Sequence, residues 1–360
     1  MKKGLVAVFI AAFAALIGQR FLKLREMALG SREVSLKHLN CQLLKNIECG
    51  AEDLTILRDG LAFISSGLKY PGMPSFCDDP GKIYILDLLD PRLTPVELQI
   101  KGQLDLSSFN PHGISVYIDD DADNSIYLFV VSHPQHGSTQ IEIFQFVEEN
   151  TLVHQKTITH PLLHSVNDIV AVGLESFYAT NDRSFHNDAL NFVAFLLGLP
   201  WCTVVYYSPE DVRVAANGFL SSNGINLSPD KRYLYVSDIL GHEIDVFERQ
   251  EGEHLVLVKS VGVGSLCDNI EVDHETGDLW LGCHPNAMKF VMNDPQDPPG
   301  SEVCIIFDKS VIYIIISVCR PDHFINPFIF LSFLLSRTFP PGHPDPEHSL
   351  RAAGSDPGVR

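Results

Sequence analysis

Seven oxygen-bearing side chains recur at one place in a repeating pattern: Glu52, Asp53, Asn167, Asp168, Asn223, Asp268 and Asn269. Each stands at the opening of a β-rich unit, where two polar or small residues precede an aliphatic one. The openings read Glu52-Asp53-Leu54, His112-Gly113-Ile114, Asn167-Asp168-Ile169, Asn223-Gly224-Ile225 and Asp268-Asn269-Ile270, at spacings of 60, 55, 56 and 45 residues. Asn or Asp at a single strand entrance is ordinary turn chemistry. Oxygen donors at the same position in four of five units point to a shared cation. Calcium takes about 6–8 oxygen ligands from carboxylates, amides and backbone carbonyls. This set supplies them without His or Cys, which argues against zinc.

Two histidines flank the second unit. His112, in Asn-Pro-His-Gly-Ile, fills the repeat position and is predicted to lie beside the cation. A neutral imidazole there would deprotonate water for attack on a carbonyl. His133, in Val-Ser-His-Pro, would hold or relay that proton. Taken singly, each reads as a hydrogen-bonded turn histidine. The chain has no G-x-S-x-G elbow, no H-E-x-x-H and no Walker loop. A hydrolase built on this sequence would therefore use metal and water. The run Asp119–Asp123 fails as an EF-hand, because its sixth position is Asn124 and its twelfth is Val130. It reads as a solvated turn.

The elements that must position these residues are strands. Short β-rich runs alternate with Gly, Pro, Asn and Asp turns, as at Lys82–Leu86, Ser125–Ser132, Gln140–Phe146, Phe177–Thr180, Thr203–Tyr207, Tyr233–Ser237 and Leu279–Cys283. A β unit repeating every roughly 40–50 residues is the pattern of a propeller blade. In a propeller the innermost strands surround a channel, so equivalent positions of successive units converge there. One helix is predicted over Asp188–Leu199 with Asp188 as its N-cap. The sequon at Asn226 falls inside a predicted strand and is expected to be unused.

The chain has 360 residues and a formal net charge of −19, which leaves no electrostatic footprint for nucleic acid. Lys2 and Lys3 precede an apolar run, Leu5–Ile17, in the manner of a secretory signal. Arg20–Arg25 could lie on lipid as an amphipathic stretch, and spacing alone leaves cleavage and retention both open. The eight cysteines form no C-x-x-C pair and are too sparse for a disulfide scaffold. The blade pattern is expected to stop at residue 303. Beyond it the chain carries two apolar runs and a Pro-, Gly- and His-rich end. The expected organisation is an N-terminal signal or anchor over residues 1–25, a propeller over 26–303 and a divergent tail over 304–360.

Gly60–Met73, Phe109–Ser115, Ser165–Ile169, Asn223–Ser228 and Thr276–Pro285 resemble the paraoxonases, calcium-dependent lactonases and arylesterases. The resemblance covers roughly residues 1 to 303. It implies an all-β, six-bladed propeller, here with its last blade incomplete or replaced, and two calcium ions in the central tunnel. By position, Glu52, Asn167, Asn223, Asp268 and Asn269 match the ligands of the catalytic calcium. Asp53, Asp168 and the Ile114 carbonyl match those of the structural calcium. His112 and His133 match the family's proton-relay pair, and Leu68, Tyr70 and His284 its substrate pocket. The implied substrates are lactones and aryl esters. The implied setting is extracellular, on a lipoprotein or membrane surface reached through a retained N-terminus. Arg183-Ser184 departs from the family's usual His-Tyr. The segment holding the family's partner for Cys41 is absent, with Cys304 and Cys319 as the nearest replacements. The altered tail leaves a catalytically impaired protein that binds lipid or a partner as the competing reading.

Overall fold

The computed structural model describes residues 2–28, 44, 46–69, 78–135, 137–147, 150–286, 289, 302–307 and 310–312. Helix α1 (Lys2–Ala28) precedes five sheets. The first contains β1 (Ala51–Ile56), β2 (Leu61–Ser66), β3 (Lys82–Asp87) and β4 (Val96–Glu97). The second contains β5 (Gln99–Lys101), β6 (Pro111–Asp119), β7 (Ser125–Ser132), β8 (Gln140–Val147) and β9 (Thr151–Ile158), in the order β6-β7-β8-β9-β5. The third contains β10 (Val166–Gly173), β11 (Ser176–Asn181), β12 (Cys202–Tyr207) and β13 (Val212–Phe219), with helix α2 (Asp188–Leu197) between β11 and β12. The fourth contains β14 (Ser222–Leu227), β15 (Tyr233–Asp238), β16 (Glu243–Gln250) and β17 (His254–Gly262). The fifth contains β18 (Leu266–Val272), β19 (Leu279–His284), β20 (Glu302–Phe307) and β21 (Ser310–Ile312).

Within each sheet successive strands meander antiparallel, and β5 alone joins β9 in parallel. Each strand expected from local alternation is present to within one residue at either end. Period-2 patterning works here because the inner strands of each sheet bury side chains against a neighbouring sheet. Phe63, Ile83 and Ile85 of the first sheet pack on Leu128, Val130 and Phe144 of the second. Phe129 and Ile143 meet Ile169, Phe177 and Val205 of the third. Tyr178 and Val204 meet Ile225, Leu234 and Val236 of the fourth, and Ile244 and Val263 meet Leu279 and Leu281 of the fifth. Two apolar faces lie beyond these four interfaces: Ile64, Tyr84 and Leu86 on the first sheet, and Trp280, Val303 and Ile305 on the fifth.

The architecture is an all-β propeller with five sheets among the described residues; the expected sixth is not among them. Strand pairing in the fifth sheet runs to Ile312, past residue 303 where the pattern was expected to stop. Glu302–Ile306 is buried on both faces and so lacks the alternation that marks a half-exposed strand. The helix forms as expected, but its cap is Asn187, whose side chain accepts from Leu190 N. Asp188 instead falls in the first turn. The acidic run at residues 119–123 is a turn between β6 and β7. Among the described residues, no helix is long and apolar enough to cross a membrane. Cys41, Cys319, Tyr70 and most of the 304–360 tail lie outside the described residues.

Candidate functional site: five bulges around an axial cavity

The inner strands β1, β6, β10, β14 and β18 each break register with their neighbour near the strand's start, and β10 does so again between Ala171 and Gly173. The residues skipped near the starts are Glu52-Asp53, His112-Gly113, Asn167-Asp168, Asn223-Gly224 and Asp268-Asn269. These are the five repeat openings. A bulge leaves residues unpaired and re-aims their side chains. Hydroxyls at the ends of the second strands satisfy the freed backbone. Asp53 N donates to Ser65 Oγ at 3.0 Å, and Asp168 N to Thr180 Oγ1 at 3.1 Å. Thr180 Oγ1 donates onward to Asn223 O at 2.6 Å, and Ser237 Oγ to Cys267 O.

The inner strands approach too closely for side chains at two openings. A Cβ on Gly113 would stand 2.3 Å from Asp168 Oδ1, and one on Gly224 2.3 Å from Asp268 O. The carboxylates stitch strand to strand: Asp53 Oδ2 accepts from Ile114 N, and Asp168 Oδ2 from Ile225 N, both at 2.8 Å. The fifth sheet reaches the first. Asn269 Nδ2 donates to Glu52 O at 2.9 Å, and Ile56 N to Glu271 Oε1 at 3.1 Å.

A cavity of about 20 Å³ lies at the centre of the ring, lined by residues of all five inner strands. Asp53, Ile114, Asp168, Asn226 and Glu271 face it, and no Lys or Arg does. Burial pushes the Asp53 carboxyl well above its ordinary range, with Glu52 adding to the effect. Burial and then Asp53 do the same for Asp168. Burial pushes Glu271 up to about 8, with Asp168 adding to it. Asn226 donates to Ile270 O at 2.9 Å, so its side chain is committed to the cavity wall.

Nearby stands a second group. Glu52 Oε2, Asn167 Oδ1, Asn223 Oδ1 and Asn269 Oδ1 are buried and have no hydrogen-bond partner among the described residues. Buried polar atoms are nearly always paired. Four unpaired oxygens from four sheets make a donor set suited to a hard divalent cation. Asp268 is brought to the same ring and bonds His284 Nε2 through Oδ2 at 3.0 Å. Leu68, half-buried after β2, sits in a segment held by Asn110, which exchanges hydrogen bonds with Lys69 and donates to His133 O.

The two histidines meet. His112 Nε2 lies 3.2 Å from Glu52 Oε1, and its Nδ1 lies 2.9 Å from His133 Nε2. His133 Nδ1 lies 3.3 Å from Thr139 Oγ1, which also donates to His164 O. Burial opposes charge on His112, but Glu52, Asp182 and Asp268 outweigh it and raise its pKa. Burial, then His112 and Arg183, push His133 well below the ordinary value. The pair is therefore polarised, with His112 the more basic ring. Thr139, Asn110, Asp182 and Glu271 were not singled out from sequence. They fall outside the repeat openings, and each is a single polar residue that means nothing until the chain folds.

The fold and site define a β-propeller with an oxygen-lined axial site. Sequence comparison agrees with that class. A profile of the Arylesterase family matches residues 33–311. Serum paraoxonase/arylesterase 2 of Gallus gallus is 52% identical over 306 residues, 84% of this chain and 86% of its own. Human serum paraoxonase/lactonase 3 is 48% identical over 306 residues, again 84% and 86% of the two chains. Human serum paraoxonase/arylesterase 1 is 54% identical over 276 residues, 76% and 77% of the chains. The chain belongs to the arylesterase family, the paraoxonases.

Proposed function

We propose that the protein hydrolyses lactones and aryl esters at the axial oxygen cluster, with calcium as its cofactor. The observation that carries the reading is the set of four unpaired buried oxygens beside the coupled His112–His133 pair. Glu52, Asn167, Asn223, Asp268 and Asn269 would hold the catalytic ion. Asp53, Asp168 and the Ile114 carbonyl would hold a structural one. Bound calcium supplies charge to polarise the scissile carbonyl and to stabilise the oxyanion.

The chain's own residues handle the proton. His112 presents Nε2 towards Glu52 and the oxygen cluster. A proton taken from water at Nε2 leaves from Nδ1 to His133 Nε2, 2.9 Å away. Burial leaves His133 the weaker base, so the proton rests on His112 and only passes through His133. Leu68, Tyr70 and His284 would border the substrate, with His284 also holding Asp268 in place. A lactone suits a closed ring of strands, because its ring is compact and its leaving group stays attached.

Two further parts belong to this reading. The apolar faces on the first and fifth sheets would pack against a sixth blade. Attachment to lipid finds support in an exposed apolar surface. Phe13, Leu16 and Phe21 of α1 and Phe192, Val193 and Leu197 of α2 are exposed, and Arg20 Nε joins the helices by donating to Leu196 O at 2.9 Å.

Hydrolysis of an aromatic lactone by the purified chain, first in calcium and then in excess chelator, tests the proposal. Turnover that chelation abolishes is expected. No turnover in either condition would overturn it and favour the lipid-binding reading that the exposed helices support.

A further inference from the structure

Three sulfurs meet between the fourth and fifth sheets, beside the repeat opening at Asp268, and a buried carboxylate stands next to one of them. Cys267 on β18 stands opposite Cys283 on β19, and Cys283 stands opposite Glu302 on β20. Cys304 follows Glu302 by two residues and shares its face of the strand. The Sγ atoms of Cys267, Cys283 and Cys304 all lie within 4.8 Å of one another, and all three residues are buried. Cys267 and Cys283 are joined as a disulfide. Their surroundings are Ile244, Val263 and Leu281.

Glu302 is the feature that a disulfide does not explain. It is 2% exposed, its Oε1 lies 3.9 Å from Cys304 Sγ, and its Oε2 has no hydrogen-bond partner among the described residues. A carboxylate buried in this way is costly unless something positive shares its site. No repeat-opening side chain belongs to the group, although Cys267 adjoins Asp268 and Cys283 adjoins His284. Three sulfurs with one carboxylate oxygen are a tetrahedral donor set for zinc, with Zn–S near about 2.3 Å.

We propose that reduction of the Cys267–Cys283 disulfide converts this group into a site for one thiophilic divalent cation of the zinc class. Cys267, Cys283 and Cys304 supply the sulfur ligands and Glu302 the oxygen ligand. The reductant is a dithiol. It gives two electrons and two protons, the Cys267–Cys283 bond breaks into two thiols, and the dithiol closes to its own disulfide. As the cation binds, the three thiol protons pass to solvent. Soft sulfur rejects calcium, so this site and the axial oxygens sort cations by hardness. The inference stands whether or not the chain hydrolyses lactones.

The test uses the full chain in calcium buffer. One portion stays oxidised. Another is reduced anaerobically with a dithiol, desalted, exposed to zinc and washed, and metal is counted by mass spectrometry. The reduced chain should retain one more zinc than the reduced C304S variant, and the oxidised chain should gain none at this site. Cadmium in place of zinc should give a thiolate charge-transfer band that C304S loses. Glu302→Gln should weaken zinc binding by roughly 10-fold or more. Equal zinc in the reduced wild type and reduced C304S would overturn the proposal. Should reduction alone unfold the chain, zinc present during reduction should preserve the β-sheet circular dichroism, and failure to do so would equally overturn it.

Discussion

At the scale of single residues, the site is a chain of dependencies. Glu52 orients His112, His112 meets His133, and Thr139 holds the far side of His133. Thr139 is buried and its hydroxyl bonds His133 and His164 O, so its effect passes through the ring it positions. Thr139→Val should lower kcat by about 10-fold, the scale for losing an orienting partner, with KM nearly unchanged. Thr139→Ser should restore most of the rate. Steady-state kinetics on one lactone checks both, and an unchanged kcat in the valine variant would remove Thr139 from the relay. The repeat reading found His112 because it sits where other units carry oxygen donors. It gave His133 only by its nearness to a strand end, and it passed over Thr139 altogether. Hydroxyls are too common for sequence to mark the one that meets a ring.

At the scale of elements, the working part is a bulge with a latch. The bulge skips two residues and turns them to the axis, while a Ser or Thr on the next strand pairs with the freed backbone. The sequence showed the polar openings. It did not show which hydroxyls bond them, because that contact depends on pairing register. Thr180 is the clearest latch, since it is fully buried and bridges Asp168 N and Asn223 O. Thr180→Val keeps the shape and strands two backbone groups, at a cost of about 1–3 kcal/mol. Calcium affinity should fall further than in Phe177→Leu, a buried core change of the same sheet away from Thr180. Urea melts and calcium titrations on the two variants make the comparison. Equal calcium affinity at equal stability would mean that the latch serves the fold alone. Strand positions were legible because alternation is local. The fifth sheet's third strand, β20, was not, because burial on both faces erased its alternation.

At the scale of the whole molecule, the ring encloses carboxylates that have no cationic side chain to answer them. Glu271 is raised from an ordinary 4.5 to about 8, and His112 is also raised. Both bind protons in the folded state that the unfolded chain has released. Stability of the calcium-free protein should therefore fall as pH rises from about 6.5 to about 8. The lowered histidines, His133 and His164, act in the opposite sense, but below the ordinary histidine value of 6.5. Excess calcium should flatten the slope by answering the carboxylates directly. Calorimetric melts across that window, with chelator and with calcium, decide it; a chelated protein that gains stability with pH would contradict the assignment. Glu271 escaped the sequence reading because it lies one residue beyond the repeat opening.

The meeting of the first and fifth sheets has a mechanical meaning. Neighbouring sheets elsewhere are linked by continuous chain, whereas this seam is crossed by side-chain bonds such as Asn269 to Glu52, Glu271 to Ile56 and His274 to Ile56. Load applied at the chain's two ends would concentrate there, and the ring would open at the seam like a clasp. An ion gripped by Glu52 on one side and Asn269 on the other would be the pin of that clasp.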